Sequence, residues 1–307
     1  MSLRRLSLAL ALATAVTSLA QQPSVDPDLA REIDSIPALD NHAHPMLSPP
    51  ADATDRDFDA LPVDSMAPQT DPVALRPDWP PLHDAWLALF SIDLHPPLTP
   101  DTQKQLDAAR ARVKYREGEH YSDYVLDKSG IDIMVANRVA MGTGVQAPHF
   151  LWVPYEDALL FPLNNSSMAA QTPDRAQFFA LEDKLRARYL HDSGLSKPPA
   201  TFDAYINRVV LTTLRRQHEH GAIAAKFELA YLRSLAIGNP TKAEASAVYA
   251  KYIDTNTSPD PATYKPLQDY LFRIIALECG RLGQGHGEEG AMPVNDVEAD
   301  EEGDAQS

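Results

Sequence analysis

Two histidines separated by one residue follow a short apolar segment near the start of the chain. The sequence Asp40-Asn41-His42-Ala43-His44 comes directly after the apolar residues 36–39. On a strand, side chains two residues apart share one face, so Asp40, His42 and His44 are expected to point the same way. Two imidazoles placed in this way can bind one divalent metal ion. His42 and His44 are therefore the candidate metal ligands.

A second pattern of the same kind, His218-Glu219-His220, occurs where a helix is expected to end. Around a helix axis, side chains at positions i and i+2 diverge, so these two rings do not converge on one ion. Imidazoles near a helix C-terminus interact favourably with the helix dipole, and Gly221 is suited to the position after the last turn. We interpret this pattern as a helix end.

Lys226 is the third candidate, because it interrupts the apolar segment 222–227. A buried lysine must lose its charge, pair with an acid or react. Glu228, two positions further on, is a partner on the same face, so an ion pair and a catalytic role both remain open. Arg138 and Glu156 lie at or near predicted strand ends and are candidates for substrate contacts.

The elements that would position these residues alternate between strands and long helices. Strands are predicted at residues 36–40, 131–136, 150–153 with 158–161, and 222–227. Helices are predicted at residues 28–34, 82–90, 101–126, 202–217, 242–252 and 266–282. Such alternation indicates βαβ units and a parallel sheet or barrel. In a barrel, the ends of the strands where His42 and His44 lie form the active site.

Composition limits the classes of function. The chain has 307 residues, 27 Lys and Arg, 43 Asp and Glu, and a formal net charge of -16. This balance argues against binding to nucleic acid, which requires clustered basic residues. The single Cys excludes a disulfide framework and a thiolate metal cage. A Pro- and Asp-rich segment, residues 45–100, is long enough to be a functional insertion.

The two ends of the chain are not expected to belong to the fold. Residues 1–20 combine Arg4 and Arg5, an apolar run and small residues before Ala20, which predicts a signal peptide and export from the cytoplasm. A buried first helix is the alternative. The apolar run is too short to span a bilayer, so no stable membrane association is expected after cleavage. Residues 287–307 form an acidic tail that is expected to be disordered.

Several segments resemble one known family. Residues 36–45, with the sequence Ile-Pro-Ala-Leu-Asp-Asn-His-Ala-His-Pro, resemble the first-strand metal signature of the amidohydrolase superfamily, in its amidohydrolase-related branch. Residues 225–234 resemble the fourth-strand segment of that branch. Residues 267–273 and 278–283 resemble the helix that leads to its fifth strand.

The resemblance implies an α/β fold of the (β/α)8 TIM-barrel type. His42 and His44 would be ligands to zinc or a similar divalent ion. Lys226 would lie on the fourth strand, where some members carry a carboxylated lysine that bridges two metals. The implied chemistry is the attack of metal-activated water on a C–N or C–O carbonyl bond of a small-molecule substrate.

The chain departs from the family after Gly283, where an apolar strand with a metal-binding histidine is expected and no such strand occurs. Residues 21–286 are therefore expected to form an incomplete barrel of about four β/α units with the Pro-rich insertion, in a C-terminally truncated member of the family. Two alternatives stay open: a decarboxylase of the same superfamily, and an inactive fragment that only binds a partner.

Overall fold

The structure is a computed structural model that describes residues 26–60 and 80–283. The predicted signal peptide, residues 1–20, and the predicted acidic tail, residues 287–307, lie outside these ranges. Among the described helices, none is both long and apolar enough to cross a membrane.

The chain divides into two units after Ala38. In the first unit, helix α1 (Pro27–Asp34) begins one residue before its predicted start. The side chain of Asp26 caps it by accepting a hydrogen bond from the backbone N–H of Asp28 at 2.8 Å. This carboxylate also lies at the positive end of the helix dipole.

The second unit contains the sheet and the remaining helices. Its strands are β1 (Ala38–Ala43), which begins at the boundary, β2 (Ile131–Asn137) and β3 (Phe150–Val153). Its helices are α2 (Pro80–Phe90), α3 (Pro100–Glu117), α4 (Tyr121–Ser129), α5 (Ser166–Gln171), α6 (Ala176–Asp192), α7 (Phe202–Tyr205), α8 (Leu211–Glu219), α9 (Lys242–Tyr252) and α10 (Pro261–Arg281).

The strands form one sheet in the order β1-β2-β3, with β2 and β3 parallel. The predicted strand at 222–227 is wrong as a regular strand. Within the described residues, two separate parallel bridges join it to β3 and the residues just after β3: Trp152 with Ala222, and Tyr155 with Lys226. The N–H of Ile223 donates to the carbonyl of Trp152, and that of Lys226 donates to the carbonyl of Pro154, both at 2.9 Å. The next bond of a continuous ladder would need an N–H at Pro154, which proline lacks.

Two other predicted elements are wrong in kind or extent. The helix predicted at 101–126 is broken at Gly118, whose φ of 53° ends α3 before α4 begins. The strand predicted at 158–161 is a fully buried 3-10 turn, Asp157–Leu160. A short apolar run buried on all sides has no periodicity that separates a strand from another buried segment.

The C-terminal helices follow their end signals more closely. Helix α9 has its predicted bounds, because Thr241 and Glu244 form a capping box at its start. Helix α10 begins at Pro261, five residues before its predicted start, and the side chain of Asp260 caps it. A π-helical segment, Ile206–Val210, joins α7 to α8 within the predicted helix. Helices α5 and α6 were not predicted.

The largest apolar core packs the turn after β3 against α6, α7, α8, α9 and α10. Its fully buried members include Leu159, Tyr205, Tyr264 and Leu267. This core surrounds the segment that leads from β3 and so fixes the backbone next to the sheet. The observed fold is mixed α/β with a small parallel sheet, and closure into a barrel remains a prediction.

Candidate metal centre

The two predicted histidine ligands converge at the end of β1. The Nε2 atoms of His42 and His44 are 3.3 Å apart. Two nitrogens bound to one tetrahedral zinc ion at 2.0–2.1 Å would be separated by about 3.3 Å. Asp40 does not join them, since its Oδ1 accepts a hydrogen bond from the backbone N–H of His42 at 3.1 Å. The spacing of the two imidazoles therefore fits a shared ion.

Lys226 reaches the same point from a distant part of the chain. Its Nζ lies 2.6 Å from Nε2 of His42 and 3.3 Å from Nε2 of His44. The parallel bridge between Tyr155 and Lys226 places it there. In the part of the chain that the structure describes, no third His, Cys, Asp or Glu has a ligand atom within 4.8 Å of both imidazole nitrogens. The third side chain at this point is Lys226.

Tyr155 holds the ring of His44 in position. Its hydroxyl donates to the carbonyl of Asn137 at 3.3 Å and lies 2.9 Å from Nδ1 of His44. This network is satisfied when Nδ1–H of His44 donates to the tyrosine oxygen, and Asp59 Oδ1 lies 3.4 Å from the same nitrogen. With the proton on Nδ1, the lone pair of Nε2 faces His42 and is available to a metal.

Charges and burial around the site disfavour the protonated form of His42. The positive charge of Lys226 is the largest cause that lowers the pKa of His42, and partial burial and His44 lower it further. Burial also lowers the pKa of Lys226, and the carboxylates of Glu228 and Asp59 oppose this effect without reversing it. Protonation of His42 is therefore disfavoured, and its Nε2 keeps a lone pair that a metal can bind once Lys226 no longer donates to it.

A group of buried carboxyl groups lies beside Lys226. The backbone N–H of Glu228 donates to Oδ2 of Asp157 at 2.7 Å. Burial raises the pKa of Glu228 to about 8 and that of Asp157 to about 7. Burial also raises the pKa of Glu182, which lies near both and is 1% exposed. These are carboxyl groups that hold a proton near neutral pH.

Sequence reasoning identified Glu228 only as a partner of Lys226 and missed the other carboxyl groups. Asp157 lies two residues after Tyr155, as Glu228 lies two residues after Lys226, and the two pairs are joined through the bridge at β3. This shared offset of two residues predicts that Asp157 and Glu228 lie close together, but only once the pairing of Tyr155 with Lys226 is known. Asp59 offers no such signal, because it lies in the Pro-rich insertion.

The structure corrects the prediction that Arg138 and Glu156 contact a substrate. Arg138 is fully buried and forms a bidentate ion pair with Asp55, at 2.9 and 3.0 Å. It also donates to the carbonyl of Pro45, while Asp55 accepts from the backbone N–H of Leu47 at 2.8 Å. This pair anchors the segment that follows His44. Glu156 is also fully buried, so neither side chain reaches a substrate from solvent.

Comparison of the chain with protein-family models finds no match, and comparison with curated protein sequences finds none. The resemblance to amidohydrolases rests on residues 36–45, 225–234, 267–273 and 278–283 of the sequence itself.

Proposed function

We propose that this chain is a metal-dependent hydrolase of the amidohydrolase type, with His42 and His44 as metal ligands. The observation that carries the proposal is the convergence of the two Nε2 atoms at 3.3 Å, with Nζ of Lys226 beside them. Imidazole ligands suit zinc among the common divalent ions. When bound, the metal would supply Lewis-acid activation of water and of a substrate carbonyl group.

Lys226 requires a change of state for this role. As an ammonium group 2.6 Å from Nε2 of His42, it donates to the lone pair that a metal would need. Its lowered pKa makes the neutral amine more accessible than it is for an exposed lysine. A neutral amine can add to CO2, forming an N–C bond and releasing one proton, and the carbamate then offers an anionic oxygen. This is the carboxylated lysine that the resemblance implies.

The carboxyl groups next to Lys226 are placed for proton transfer. Hydrolysis adds water to a carbonyl carbon, breaks the C–N or C–O bond and moves one proton to the leaving atom. Glu228 lies two residues from Lys226, and its backbone holds Asp157 close by. We assign proton transfer to this pair and expect a small-molecule substrate with an amide, ester or lactone group.

Metal content tests the ligand assignment. The full chain should be purified as wild type, as His42→Ala/His44→Ala and as His218→Ala/His220→Ala, and its zinc measured by inductively coupled plasma mass spectrometry. The third protein is a matched control, because it loses the same number of histidines from the same sequence pattern. We expect at least one equivalent of zinc in the wild type and the control, and about one equivalent less than the wild type in the first variant.

Two results would overturn the ligand assignment: a wild-type protein without bound metal, or a His42→Ala/His44→Ala variant that contains as much zinc as the wild type. Turnover is tested on aryl esters, lactones and anilides after zinc loading, with Lys226→Gln as the inactive variant. Hydrolysis that a chelator abolishes and zinc restores supports the proposal. Bound zinc without turnover of any substrate contradicts it, and release of CO2 from a carboxylic acid substrate assigns a decarboxylase instead.

A further inference from the structure

A second group of metal-ligating side chains lies outside the candidate metal centre. His83 lies on α2, and Asp93 and His95 lie in the segment after this helix. Oδ1 of Asp93 is 2.9 Å from Nε2 of His83 and 3.4 Å from Nε2 of His95. The ligand atoms of all three lie within 4.8 Å of one another. Two imidazoles and a carboxylate therefore converge on one point.

Leu94, the residue between Asp93 and His95, anchors this group to the fold. Leu94 is buried and packs with Trp86 of α2 and Leu106 of α3 in a small apolar cluster. Because alternate side chains of an extended segment point in opposite directions, burial of Leu94 turns Asp93 and His95 to the surface. The side chains of both are more than 70% exposed, so an ion can reach them from solvent.

His83 has the orientation that a metal ligand needs. Its Nδ1 lies 3.1 Å from Oδ1 of Asp84, the next residue on the helix. Nε2–H of His83 donates to Oδ1 of Asp93, and an ion must displace this proton when it binds. A carboxylate that accepts from Nδ1–H then keeps Nε2 as the ligating nitrogen. Asp84 thus lies against Nδ1 of His83, as Tyr155 lies against Nδ1 of His44.

One movement is required before an ion can bind. The rings of His83 and His95 are stacked, with centroids 4.1 Å apart and planes inclined by 10°. An ion bound to both rings must lie in both ring planes, which two stacked rings do not allow. His95 must therefore turn, and its exposed side chain can rotate without disturbing the apolar cluster.

We propose that His83, Asp93 and His95 form a second metal site, for a late first-row divalent ion such as Zn²⁺ or Ni²⁺. Imidazole and carboxylate ligands are the set that these ions prefer, and three protein ligands leave a coordination position open to solvent. Bound metal would tie α2 to the segment that follows it. The site is independent of the proposed hydrolase function, because it shares no residue with that centre.

The test is calorimetric titration of the full chain with ZnCl2 in the His42→Ala/His44→Ala background, which removes the first centre. We expect one equivalent of Zn²⁺ to bind, and His83→Ala/His95→Ala added to this background to weaken binding by at least about 10-fold. The matched control adds His120→Ala/His191→Ala, two exposed histidines that also lie near carboxylates. This control should bind as the background does.

A count of bound ions in the unmutated protein provides a second measurement. His83→Ala/His95→Ala alone should lower the saturating zinc content by one equivalent, and circular dichroism should show unchanged helix content. Binding of no Zn²⁺ by the background variant would overturn the proposal. An unchanged affinity after His83→Ala/His95→Ala would also overturn it.

Discussion

The chain contains the same His-x-His pattern in two regions with opposite surroundings. His42 and His44 end a strand, and their Nε2 atoms are 3.3 Å apart. His218 and His220 end helix α8 and are exposed, and Nδ1 of His220 lies 2.6 Å from the carbonyl oxygen of Arg216 in the same helix. The rings of the first pair converge on one point, whereas one ring of the second pair lies within hydrogen-bond distance of a carbonyl oxygen in the last turn of its own helix.

The difference follows from backbone geometry. Positions i and i+2 lie on one face of a strand but about 200° apart around a helix. The prediction of a helix end at the second pattern is confirmed, because α8 ends at Glu219 and Gly221 adopts a φ of 93°. The rings of the first pattern also lie within hydrogen-bond distance of two side chains from distant segments, Tyr155 and Lys226. The ring of His220 is within hydrogen-bond distance of the backbone of its own helix.

The largest expected effect comes from the buried ion pair behind the first pattern. Arg138→Ala should lower the free energy of unfolding by about 3–5 kcal/mol, because it leaves the carboxylate of Asp55 buried without its partner. Urea denaturation at pH 7 measures this. Arg31→Ala is the control, since its ion pair with Asp28 is highly exposed and should contribute less than about 1 kcal/mol. A loss below 1 kcal/mol for Arg138→Ala would contradict the anchoring role.

The same variant carries a pH signature. Burial alone would raise the pKa of Asp55, but hydrogen bonds from Arg138 and from the backbone of Leu47 and Asp57 lower it below its usual value. The folded state therefore releases this proton more readily than the unfolded state. The stabilisation is present above the unfolded pKa of about 3.9 and is lost as pH falls through the folded value. The difference between wild type and Arg138→Ala should shrink from pH 7 to pH 3.

A smaller effect is expected from the residue that orients His44. Tyr155→Phe removes the hydroxyl that lies 2.9 Å from Nδ1, and it should weaken zinc binding about 10- to 100-fold in a calorimetric titration. Tyr205→Phe is a matched control, because it also removes a buried tyrosine hydroxyl. That hydroxyl donates to the carbonyl of Leu159 and not to an imidazole. Equal zinc affinities in the two variants would remove the distinction between the two His-x-His patterns.

The smallest effects are expected at the second pattern. Gly221→Ala should destabilise the protein by about 1–2 kcal/mol, because alanine is strained at a φ of 93° although space for its Cβ is open. His220→Ala should change the free energy of unfolding by less than about 0.5 kcal/mol and leave the zinc content unchanged. Thermal and urea unfolding measure both. A loss of zinc in His220→Ala would show that the second pattern also binds metal.

Local patterns in the sequence were sufficient to predict that His42 and His44 converge and where several helices end. The alternation of side chains on a strand brought His42 and His44 together, and the capping residues Thr241 and Glu244 set the start of α9. These features depend on residues within a few positions of one another, where backbone geometry alone decides the outcome. The break at Gly118 was also local, but continuous helical periodicity on both sides concealed it.

Only the tertiary structure decided what surrounds the two histidines. Lys226 lies 184 positions after His42 in the chain, and the bridge beside β3 brings their side chains to 2.6 Å. The same pairing joins Asp157 to Glu228, and a buried ion pair holds the segment after His44. Side-chain spacing shows which residues share a face, but it does not show which segments pair. That depends on long-range burial and strand pairing, which determine whether a lysine and several acids lie beside two imidazoles.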